Sequence, residues 1–141
     1  MLNQSRYQHV TGWTAKEDGG LFAFALQAVN RYGGVLEHPA FSLAWEHYGL
    51  TKPTVGKWTR CLPGWVCQVD QSVYGHRARK RTWLYYQGSM PPFDLNWDHQ
   101  RGTHGWSSLS STVKEMGKRE RRETPVRFRD ALLDLAIHAT R

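Results

Sequence analysis

The residues best equipped for chemistry fall into three short stretches. In Gly33-Gly34-Val35-Leu36-Glu37-His38-Pro39 a carboxylate stands at the end of a short apolar run and is followed by a proline. A carboxyl group held at a strand end can hydrogen-bond a ring nitrogen of a nucleobase; an ordinary strand terminus would leave it solvated. The second stretch, Gln68 to Thr82, packs Arg77, Arg79, Lys80 and Arg81 ahead of a β-prone segment. Arginine forks match phosphate oxygens in bidentate fashion, so this is a candidate phosphate-binding loop. Gln71 and His76 join the four cations as candidate DNA contacts, and Tyr74 adds a second ring. In the third stretch, Lys118 to Arg129, Glu and Arg alternate, and much of that charge pairs locally along a helix surface.

These stretches need elements to hold them. Leu21–Tyr32 is rich in helix formers and ends at Gly33-Gly34, a strong stop signal. Val35-Leu36 then reads as a short buried strand that stops at Glu37-His38-Pro39. Helix, glycine pair, strand, then a polar residue at the strand's carboxyl end is the rhythm of a parallel α/β sheet, where chemistry sits at carboxyl ends. Ser42 caps a short helix that Gly49 closes. Pro63-Gly64 predicts a hairpin between two strands, the second within Trp65–Gln71. Thr82-Trp83-Leu84-Tyr85-Tyr86 is β-branched and aromatic throughout and predicts a strand ending at Gly88. Residues 89–113 read as a long irregular loop. Thr124-Pro125 opens an amphipathic terminal helix over 125–139 carrying Val126, Phe128, Ala131, Leu132, Leu135 and Ala136. The expected organisation is an N-terminal arm over 1–18 and a single domain over 19–141.

In this order the pieces resemble the C-terminal half of the catalytic domain of DNA (cytosine-5) methyltransferases, closest to the short methylase-like proteins of phages and prophages. Glu37-His38-Pro39 is similar to the family's strand-terminal Glu-Asn-Val or Glu-Asn-Pro motif, with His in place of Asn. Arg79-Lys80-Arg81 leading into Trp83-Leu84-Tyr85-Tyr86-Gln87-Gly88 is similar to its Gln-x-Arg-x-Arg motif, with Arg77 at the Gln position. The Thr124-Pro125 helix is similar to the family's closing helix. The likeness covers residues 19–88 and 114–139. It implies a partial Rossmann-like sheet with flanking helices and S-adenosylmethionine as cofactor. It further implies Glu37 as the catalytic contact to the base, with the Arg residues on DNA. Two family features do not appear. No glycine-rich cofactor loop precedes Glu37, and no Pro-Cys nucleophile can, because the cysteines are Cys61 and Cys67. The resemblance therefore implies a chain that needs an N-terminal methyltransferase polypeptide, or self-association, for methyl transfer. Alternatively, a noncatalytic DNA-binding or inhibitor protein has kept the fold.

Composition agrees with a polyanion partner. The net charge is +7, and residues 75–141 carry thirteen Lys/Arg against seven Asp/Glu, whereas residues 1–74 carry six against five. Solubility alone also produces such an excess, so the charge is informative mainly where it concentrates. Seven Trp, six Tyr and five Phe supply a core and exclude wholesale disorder. No apolar run reaches the roughly 20 residues of a membrane span, and no secretory signal opens the chain, so the expected location is the cytoplasm of a phage-bearing or bacterial cell. Cys61, Cys67, His76, His99 and His104 lack CxxC or HxxxH spacing, so no metal is expected.

Overall fold

The computed structural model describes residues 19–98, 104–105, 114–115, 119 and 122–141. The arm at 1–18 and most of the charged stretch ahead of residue 122 lie outside the described residues. So does most of the loop beyond residue 98.

The first helix, α1, spans Leu21–Tyr32. The chain leaves it through Gly33, whose N–H reaches Val29 O at 2.9 Å, and both Gly33 and Gly34 take positive φ. That geometry is closed to ordinary side chains and explains the glycine pair between helix and strand. Strand β1 follows at Gly34–Pro39, and a short helix α2 occupies Leu43–His47. Ser42 caps α2 as expected, accepting the Ala44 N–H at 3.2 Å. Strands β2 (Thr59–Cys61) and β3 (Gly64–Asp70) form the predicted hairpin. Gly64 is required there by close approach, since a Cβ would run into the Tyr86 carbonyl oxygen and the Tyr85 ring. A 3-10 turn at Gln71–Tyr74 leads to the basic loop, then to β4 at Arg81–Gln87 and, after the long connection, to helix α3 at Val126–Ala139. Two short strands pair in parallel: β5 (His104–Gly105), within the stretch read as an irregular loop, and β6 (Lys114–Glu115), just beyond it.

The chain is a mixed α/β domain, but its main sheet departs from the parallel reading. Strand order is β1-β4-β3-β2, and every ladder is antiparallel. The rhythm of helix, glycine pair and strand fixes the direction of β1 locally; it does not choose its neighbour. That neighbour is β4, with Glu37 opposite Leu84 and Pro39 opposite Thr82. Glu37 also lies within β1, two residues short of its end, where the sequence reading stopped the strand. Pro39 is tolerated because β1 is an edge strand among the described residues.

Alternation along the strands divides the core in two. Leu36, Val66, Trp83 and Tyr85 face α1 and α2, where Phe22, Val29 and Trp45 pack against them. Val35, Cys67, Val69, Leu84 and Tyr86 face α3, which contributes Phe128, Leu135 and Ala139. The terminal helix thus buries Phe128 and Leu135 as expected, while Val126 is exposed. Both cysteines are buried free thiols. Among the described residues no helix is long and apolar enough to cross a membrane.

Candidate functional site

The basic loop is built on one carboxylate. Asp70, the last residue of β3, is buried and accepts three hydrogen bonds through two oxygens. Oδ1 takes the Ser72 N–H at 3.1 Å and the Lys80 N–H at 2.9 Å, and Oδ2 takes Arg79 Nε at 2.9 Å. Burial alone would raise its pKa, but the bonds from Arg79, Lys80 and Ser72 together hold it below the ordinary carboxylate range. One side chain therefore caps the 3-10 turn and clasps both ends of the loop. Gln71 N donates to Lys80 O at 3.0 Å, closing the base of the loop a second time.

Within the loop, burial alternates. His76 and Ala78 face inward, whereas Arg77, Arg79 and Arg81 are exposed. Four cations that look equivalent in the sequence thereby have different surroundings. Arg79 is engaged with Asp70. Arg81 lies over the Phe41 ring, its Cζ 5.6 Å from the centroid. Lys80 is half-buried, and its Nζ donates to Glu123 O at 3.3 Å, tying the loop to the segment that leads into α3.

Lys80 is also the charge that acts on Glu37. Burial raises the Glu37 pKa above its ordinary value, and Lys80 partly opposes that rise. Reciprocally, burial lowers the Lys80 pKa and Glu37 opposes the fall. A half-buried carboxyl near a cation is placed to hydrogen-bond the polar edge of a base. Its neighbour His38 points to the other face, where Nε2 shares a hydrogen bond with Ser42 Oγ at 2.7 Å and the ring meets Phe22 edge-on. His38 therefore ties β1 to the start of α2.

Two expected contacts belong to the interior. Gln71 is fully buried and donates from Nε2 to Thr82 Oγ1 at 2.9 Å. His76 is 7% exposed, and its Nδ1 sits between the Ala78 N–H and the Ala78 carbonyl. Both shape the loop from beneath instead of presenting a surface to DNA. The sequence reading passed over Asp70 and Phe41. Asp-Gln-Ser at 70–72 carries the signature of a side chain that caps its own turn, which a closer reading of turn chemistry would have caught.

The described residues do not fit S-adenosylmethionine. The glycine pair runs from helix into strand, the reverse of a strand-to-helix cradle. No group of three or more potential metal ligands gathers among the described residues. Cys67 is fully buried and its thiol pKa is pushed well up by that burial; Cys61 Sγ accepts the Thr51 N–H at 3.3 Å. Both act as small core residues, as expected.

The chain matches no protein-family model, no curated protein and no solved structure. Any functional reading must rest on the site itself.

Proposed function

We propose that this chain is the C-terminal portion of a phage-type DNA cytosine methyltransferase-like protein, acting in the cytoplasm of a bacterial host. In this reading it contributes base recognition and backbone clamping. Glu37 meets the pyrimidine edge of a base, while Arg77 and the remainder of the basic loop lie along phosphates and Arg81 meets the backbone from the opposite face of the sheet. The observation that carries the reading is the half-buried Glu37 carboxyl on β1, which feels the charge of Lys80 in an Arg-rich loop that Asp70 fixes in place. A solvated strand terminus would show neither the burial nor the organised cation.

Support for a partial sheet comes from the covering of β1 and not from strand direction, which alternates throughout the main sheet. Helices α1 and α3 cover opposite faces and both pack more closely on β1 than on β4. An edge strand covered on both faces is built like the interior strand of a larger sheet, and among the described residues its outer edge is open to a further strand. The partner polypeptide would supply that strand, the cofactor site and the nucleophilic cysteine.

The test is transfer of a labelled methyl group from S-adenosylmethionine to DNA. The expected result is no turnover by this chain alone, and turnover when a polypeptide carrying the glycine loop and Pro-Cys motif is added. Glu37→Gln should abolish that turnover. Robust methylation by the isolated chain, or full complemented activity with Glu37→Gln, would overturn the reading. DNA affinity with no complemented methylation would favour the noncatalytic alternative.

A further inference from the structure

On the face of the sheet opposite Glu37 lies a second arrangement of rings and cations. Phe41, in the link between β1 and α2, has φ +65°. A left-handed conformation is rare for an aromatic residue, so the surrounding structure must impose it. Its effect is to hold the ring outward, 55% exposed, at 5.1 Å from the Trp83 ring. Arg81 Cζ lies 5.6 Å and Lys52 Nζ 5.4 Å from the Phe41 centroid. Neither cation has a carboxylate within salt-bridge reach among the described residues. Two positive charges gathered on one exposed ring form a site for an anion.

Beside the ring opens a cleft of about 330 Å³, where Phe41, Trp45, Leu50 and Trp83 meet the polar side chains of Ser42, Glu46 and Lys52. Both indole N–H groups are already committed, Trp45 Nε1 to Thr51 O and Trp83 Nε1 to Gln68 Oε1, each at 2.9 Å. The cleft therefore sets the exposed Phe41 ring and aliphatic surface beside the polar groups of Ser42, Glu46 and Lys52, which suits stacking of a base with its edge met by polar side chains. Glu46 adds an acceptor that an exocyclic amine can meet.

We propose that Phe41 and this cleft form a stacking site for an unpaired nucleobase, with Lys52 and Arg81 holding its phosphate. The site is separate from Glu37: Phe41 meets Trp83, whereas Glu37 lies opposite Leu84, and adjacent strand residues point to opposite faces. The inference rests on the DNA reading above and adds a second nucleotide subsite to it.

The test measures anisotropy of three labelled probes: a paired duplex, the same duplex with one unpaired base, and the single strand. The wild-type chain should bind the unpaired-base duplex more tightly than the paired one. Phe41→Gly suits the left-handed backbone, so it should fold at least as well as wild type. It should nevertheless lose about tenfold in affinity for the single strand and the unpaired-base duplex, as removal of one stacking ring does elsewhere. Phe41→Tyr should retain the preference, and Lys52→Ala should weaken binding of all three probes. A wild-type chain indifferent to the unpaired base, or a Phe41→Gly variant that keeps the preference, would overturn the subsite while leaving duplex binding intact. Failure to bind any probe would instead remove the DNA reading itself.

Discussion

The Lys80 N–H donates to Asp70 Oδ1 at 2.9 Å, and through that bond the end of β3 sets the position of the cation that opposes Glu37 on β1. Three strands meet functionally at this point: β3 supplies the clasp, the entry to β4 the ammonium, and β1 the carboxyl.

Removing the clasp should therefore cost both stability and charge placement. Asp70→Ala leaves the Lys80 and Ser72 N–H groups unpaired, and a loss of about 1–3 kcal/mol in urea denaturation is expected. The folded pKa of Asp70 lies below its unfolded value, so its contribution is fully present above about pH 4. That contribution should fade as pH falls through the folded pKa. The gap between wild type and Asp70→Ala should accordingly narrow under acid.

Glu37 should show the opposite sign. Its folded pKa is raised, so it favours folding below its unfolded pKa and loses that advantage as pH rises through the folded value. Glu37→Gln should leave stability unchanged or slightly higher at neutral pH, and the difference in melting temperature should grow from pH 4 to pH 8. A loss of complemented methylation without loss of stability would separate the role of this residue from any structural one.

Lys80→Met removes the opposing charge and leaves burial to act alone. The Glu37 carboxyl should then titrate at a higher pH than in wild type, a shift that carbon-detected NMR of the side chain reads directly. A downward shift would mean that Lys80 is not its electrostatic partner.

The cysteines should behave as core residues. Cys61 is 7% exposed and Cys67 is wholly buried, so neither thiol should react with an aromatic disulfide reagent in the native chain. Both should react once urea unfolds it.

Local signals made most elements legible in the sequence. Leu21–Tyr32, the Ser42 cap, the Pro63-Gly64 hairpin and the aromatic strand appear where hydrophobic pattern and turn chemistry placed them. Pairing was less legible, because which strand lies beside β1 is decided by contacts some fifty residues apart, and both parallel and antiparallel neighbours suit a run such as Val35-Leu36. The candidate site divided in the same way. Glu37 and the exposed Arg residues were visible as charge in context. Gln71 and His76 were read as surface because polarity does not reveal burial, and the inward turn of the loop at His76 and Ala78 depends on Asp70. Phe41 carried no signal, since its backbone conformation is imposed by its surroundings.

The most direct test of the clamp is the salt dependence of affinity for a paired DNA duplex. Wild type should lose affinity steeply with salt, with a logarithmic slope of about −2 or steeper from at least two to three neutralised phosphates. Arg77→Ala and Arg81→Ala should each reduce that slope by about one, while Gln71→Ala should change stability and leave the slope alone. A slope near zero, or one that the double variant Arg77→Ala/Arg81→Ala leaves unchanged, would contradict a basic loop that clamps the DNA backbone.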